Sequence, residues 1–106
     1  MSKRLEVTVY WSYWPDESAS DFTTDYIVTK KDQEYGIREP DQPGLFLRSE
    51  KVSILNEWIL EEDGLHRHCD LEAVELKLLE GEKVVAKKRA FLDSYEKATV
   101  EFMNLL

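Results

Sequence analysis

A single cysteine, Cys69, rules out an internal disulfide, whereas a small secreted domain usually carries several. Glycine is equally scarce. With four in the chain there is no Gly-rich loop to cradle phosphate, no Walker pattern and no Gly-x-Ser-x-Gly nucleophile turn. No apolar run exceeds three residues or so, far short of the roughly 20 needed for a membrane-spanning helix. Met1-Ser2-Lys3-Arg4-Leu5-Glu6 leads into a charged, alternating pattern without an apolar stretch, so no signal peptide is expected. These absences together predict a cytoplasmic chain.

Positive charge is also in deficit. Fourteen Lys and Arg stand against 22 Asp and Glu, for a formal net charge of −8. Up to residue 50 there are 10 acidic and 6 basic residues, and beyond it 12 and 8, so each half carries −4. The charge is therefore spread along the chain instead of gathered in an acidic tail. Such a field repels nucleic acid and anionic membranes and accelerates association with a basic protein surface.

Apolar material is plentiful. Hydrophobic residues make up 42% of the chain, with three Trp, five Tyr and four Phe, enough for a single packed domain over residues 1–106. Residues 3–13 alternate strictly: Leu5, Val7, Val9 and Trp11 point one way, Glu6, Thr8, Tyr10 and Ser12 the other. That period of two predicts a strand. Residues 22–30 predict the second strand of a hairpin, and 35–39 a short third one after the turn at Lys31-Asp32-Gln33. Pro40-Asp41-Gln42-Pro43-Gly44 breaks the chain.

Ser49 is placed to cap a helix running to about residue 63. Val52, Leu55 and Ile59, flanked by Ile54 and Trp58, would make one broad apolar face, with Gly64 at the C-cap. Glu61, Glu62 and Asp63 stand at the carboxyl end of that helix, where they oppose its dipole. Val74, Leu76 and Leu78, then Gly81 and Val84-Val85-Ala86, predict a second hairpin. Asp93 or Ser94 would begin a closing helix with Tyr95, Ala98, Phe102 and Leu105. A rival reading takes Val84, Phe91, Ala98 and Leu105 as a seven-residue repeat in one long helix. The charges of Lys87-Lys88-Arg89 on every face of such a helix favour the hairpin. The expected fold is α+β: a small antiparallel sheet of about five strands with two helices, in the order β-β-β-α-β-β-α.

Two constellations carry chemical potential. His66-Arg67-His68-Cys69-Asp70 would put His66, His68 and Asp70 on one face of an extended strand, a metal-ligand geometry with no further His to complete it. Its plain alternative is a polar connector. Neither this segment nor the lone thiol predicts an enzyme, and no cofactor is implied. The second constellation is Tyr10-Trp11-Ser12-Tyr13-Trp14-Pro15-Asp16-Glu17. Alternation buries Trp11 and turns Tyr10 and Trp14 to the opposite face. They form a recognition patch there, or ordinary core if a helix covers that face. Lys87-Lys88-Arg89 is too short for a nucleic-acid footprint and reads as a solvated strand, or as one paired with Glu75 and Lys77.

The resulting expectation is a small acidic protein-binding module. Trp14, Asp16, Glu17, Asp21, Glu61, Glu62 and Asp63 would dock on the basic surface of a nucleic-acid-handling protein, with no direct contact to nucleic acid or membrane. Nuclease immunity proteins and phage-encoded anti-defence proteins share this charge logic, that of a nucleic-acid mimic acting as an inhibitor. The alternatives are a homo-oligomer, such as a homodimer joined through strand 3–14, and a metal-dependent enzyme built on His66, His68 and Asp70.

Overall fold

A computed structural model describes residues 2–13, 22–44, 47–62, 69–91 and 93–106. Six strands form one sheet: β1 (Lys3–Tyr13), β2 (Phe22–Lys31), β3 (Glu34–Arg38), β4 (Leu47–Ser49), β5 (Cys69–Glu80) and β6 (Lys83–Phe91). Their order across the sheet is β4-β3-β2-β1-β5-β6, with every neighbour antiparallel. Helix α1 (Val52–Glu57) continues into a π-helical turn (Trp58–Glu62), and α2 (Tyr95–Met103) closes the chain. The fold is α+β, as the sequence predicts, with one more strand.

That extra strand is β4. Leu47 lies opposite Ile37 and Ser49 opposite Tyr35, so the chain stays extended where the sequence suggested a helix cap. Lys51 occupies the N-cap position. Ser49 Oγ instead accepts a 3.0 Å hydrogen bond from the Lys51 backbone N–H, bracing the approach to the helix. The long helix-like reading of the last third fails for a physical reason: Val84, Phe91 and Leu105 are all exposed, so the seven-residue repeat marks no common buried face. Glu80 and Lys83 face each other across a two-residue turn in which Gly81 takes φ 60, a value natural to glycine at such a position.

The odd-numbered residues of β1 bury Leu5, Val7, Val9 and Trp11 on one face. Val28 and Tyr26 of β2 lie beside Leu5 and Val7, and Leu78, Leu76 and Val74 of β5 flank Leu5, Val7 and Val9 on the other side. Leu55, Ile59 and Leu60 join this core from α1 and the π turn, and Ala98, Phe102 and Met103 from α2. Both helices thus cover the same face, α1 over β3 and β4, α2 over β5 and β6, and they touch each other. The π turn admits an extra residue, and the buried stripe steps from Leu55 to Ile59 and Leu60. Ile54 and Trp58, expected beside that stripe, are 44% and 37% exposed; the apolar face of the helix is narrower than its composition implies.

Candidate functional site

The opposite face of the sheet has no helix over it among the described residues. Ile27, Ala73 and Leu79 lie on it and are buried by their neighbours, outside the main core. Apart from Phe91 and Val84 at the outer strand, the rest is mostly polar, arranged in rows across β2, β1, β5 and β6. One row runs Asp25, Thr8, Glu75, Arg89; the next runs Thr23, Tyr10, Ala73, Phe91. Tyr10 therefore stands on the open face, as its place in the alternation predicts, while Trp11 is 2% exposed in the core. Trp11 Nε1 donates a 2.9 Å hydrogen bond to Thr24 Oγ1, which meets the one polar demand of its ring.

Four side chains form the centre of this face. The Arg89 guanidinium lies 4.7 Å from the Tyr10 ring centroid and 5.7 Å from that of Phe91, within the range of cation–π attraction. Its Nη1 is 3.4 Å from Glu75 Oε2, and the Tyr10 hydroxyl donates to the same oxygen at 3.3 Å. Phe91 is 56% exposed, the most exposed large apolar side chain among the described residues. Next along β6, Lys87 is paired directly with Lys77 of β5. The basic run thus pairs with its neighbour strand in two ways: Arg89 meets an acid, and Lys87 meets another lysine.

A second feature lies where α1 ends and α2 begins. Tyr95 has its phenol held above the ordinary 10.0 by burial, then by the charges of Glu96, Glu61 and Asp93. Three carboxylates from two elements therefore act on one hydroxyl. Glu61 opposes the dipole of its own helix. Asp93 and Glu96 stand at the amino end of α2, where negative charge is favourable. Among the described residues, the carboxylates in ion pairs are Glu6, Glu75 and Glu80, with Arg4, Arg89 and Lys3. Glu61, Asp93 and Glu96 have no cationic partner there.

Of the sequence candidates, Glu61 is exposed at this helix junction. Glu62 ends the π turn. Trp14, Asp16, Glu17, Asp21 and Asp63 lie outside the described residues, as do His66 and His68. Asp70 is exposed on β5 opposite Ser12. No group of three or more His, Cys, Asp or Glu that could hold a metal occurs among the described residues. No described helix is long and apolar enough to cross a membrane. The sequence does not mark Tyr10, Glu75, Arg89 and Phe91 as a unit, although alternation within the three strands β1, β5 and β6 places its members on a common face.

Comparison with family models, with curated proteins and with solved structures gave no match to this chain.

Proposed function

We propose that this chain is a small acidic protein-binding module that docks on the basic surface of a nucleic-acid-handling protein and inhibits it by occupying the groove meant for phosphates. The observation that carries this reading is that α1 and α2 touch and that Glu61, after α1, and Asp93 and Glu96, at the start of α2, are exposed without a cationic partner among the described residues. Uncompensated carboxylates around an aromatic hydroxyl suit a surface of Arg and Lys, since Tyr is favoured in interface hot spots and charge-assisted bonds are the stronger ones. The net charge of −8 steers such an encounter. A cytoplasmic setting belongs to the same proposal.

Joining two copies by β1 backbone pairing is disfavoured by topology, because β1 has β2 on one side and β5 on the other. A homodimer would have to form elsewhere than along the backbone of β1.

The test is capture of basic nucleic-acid-binding proteins on the immobilised chain, followed by titration of the retained partner between about 50 and 200 mM salt. Affinity falling steeply over that range, and falling again in Glu61→Lys/Glu96→Lys, supports the reading. An affinity indifferent to both salt and charge reversal sinks it.

A further inference from the structure

Strand β6 of this acidic chain is basic. Among the described residues, strand β6 is the last in the sheet, with β5 as its one sheet neighbour. It holds Lys83, Lys87, Lys88 and Arg89 within nine residues. All of its residues except Ala86 and Ala90 are exposed, including the apolar Val84, Val85 and Phe91.

Lysines on an outer strand often serve only to discourage edge-to-edge aggregation. Two observations go beyond that role. Lys77 is on β5, inside the sheet, yet it stands directly opposite Lys87 on the open face, and like charges so placed weaken strand pairing. The acid across from Lys77 on its other side, Glu6, is engaged by Arg4 at 3.3 Å. In addition, a strand guarded against association would not keep Val84, Val85 and Phe91 exposed beside its lysines. Two like charges face each other here, and a bound acidic segment would compensate them.

We propose that β6 accepts an extended acidic segment of a partner protein as a seventh, antiparallel strand. Strand addition uses the unpaired backbone of the edge for affinity and the side chains for specificity. Register then dictates the ligand. Read from its amino end, the segment faces Phe91, Ala90, Arg89, Lys88, Lys87, Ala86 and Val85 in turn. It needs an apolar residue, a small one, three acids, a small one and an apolar one. A second copy of β6 is excluded as occupant by charge, since lysine would meet lysine or arginine. This surface is separate from the acidic helix junction, and its failure would leave that proposal standing.

The experiment uses the intact chain and the peptide acetyl-Val-Thr-Glu-Glu-Glu-Thr-Val-amide, with the Lys-Lys-Lys counterpart and a (dT)12 oligonucleotide as competing probes. Amide shifts in a nitrogen–proton correlation spectrum should move along β6 and not along β4. Lys87→Glu/Lys88→Glu should weaken binding at least about tenfold. The single variant Lys87→Glu should weaken binding while raising Tm by roughly 1 to 6 °C, because it replaces the repulsion from Lys77 with an attraction. Opposite signs in those two readouts are not expected of residues that only keep the edge soluble. The proposal is overturned if the acidic peptide leaves β6 unmoved, if the charge reversals do not weaken it, or if the basic peptide or (dT)12 binds there as well as the acidic one.

Discussion

Trp11 Nε1 lies 2.9 Å from Thr24 Oγ1, a bond between the strand that organises the core and its hairpin partner. The indole also stacks on Phe22 at 6.3 Å. Thr24→Val strands a buried N–H, at about 1–3 kcal/mol. In a Trp11→Phe background, which lacks that N–H, Thr24→Val should cost clearly less. Denaturant unfolding of the two single variants and the double variant checks this. Additive losses would mean that the bond contributes nothing to stability.

Arg89, Tyr10, Glu75 and Phe91 combine an exposed ion pair with two ring contacts. Surface ion pairs and exposed cation–π contacts each contribute about 0.2–1 kcal/mol. Arg89→Ala should therefore lower stability by about 1 kcal/mol. Part of the loss is Coulombic and screened by salt, and the ring contacts make up the rest. Glu75→Gln should remove the salt-dependent part and leave the rest. Unfolding midpoints of both variants at low and high salt separate the two contributions.

Much of this architecture follows from residue order. Leu5, Val7, Val9 and Trp11 against Glu6, Thr8 and Tyr10 announce a half-buried strand, and the same alternation in Val74, Leu76 and Leu78 announces its neighbour. Strand β4 was not legible because three residues carry too little periodicity, and its existence depends on the edge that β3 offers. The burial of Leu60 in place of Ile54 was equally hidden, since a π turn shifts the helical phase without a local sequence signal. The pairing of Arg89 with Glu75, and of Lys87 with Lys77, depends on register. That register includes an irregularity between Leu78 and Leu79 that no propensity encodes.

Gly81 adopts φ 60 in the β5–β6 turn, and a Cβ added there would meet nothing within 4 Å. The cost of Gly81→Ala is thus one of backbone conformation alone, roughly 1–2 kcal/mol. Gly81→Asn should recover part of it, because Asn tolerates the left-handed region. Thermal unfolding of the two variants should rank them in that order. Equal stabilities would mean that the turn relaxes to a different geometry.

Tyr95 offers a spectroscopic readout of the acidic junction. Its phenol is raised by burial first, then by Glu96, Glu61 and Asp93. The folded state therefore holds this proton more tightly than the unfolded chain does. The resulting stability is fully present below the ordinary value of 10.0 and is lost as pH rises through the higher folded value. Stability should accordingly fall above pH ~10, and Tyr95→Phe should abolish that alkaline fall. In an ultraviolet tyrosinate titration, Glu61→Gln should bring the Tyr95 ionisation down toward the ordinary range, and Glu96→Gln further. Burial, the leading cause, is untouched by either change, so the ionisation should remain somewhat raised even in the double variant. A titration unmoved by both substitutions would show that the carboxylates do not act on this hydroxyl, and the charged junction would lose its basis as a docking surface.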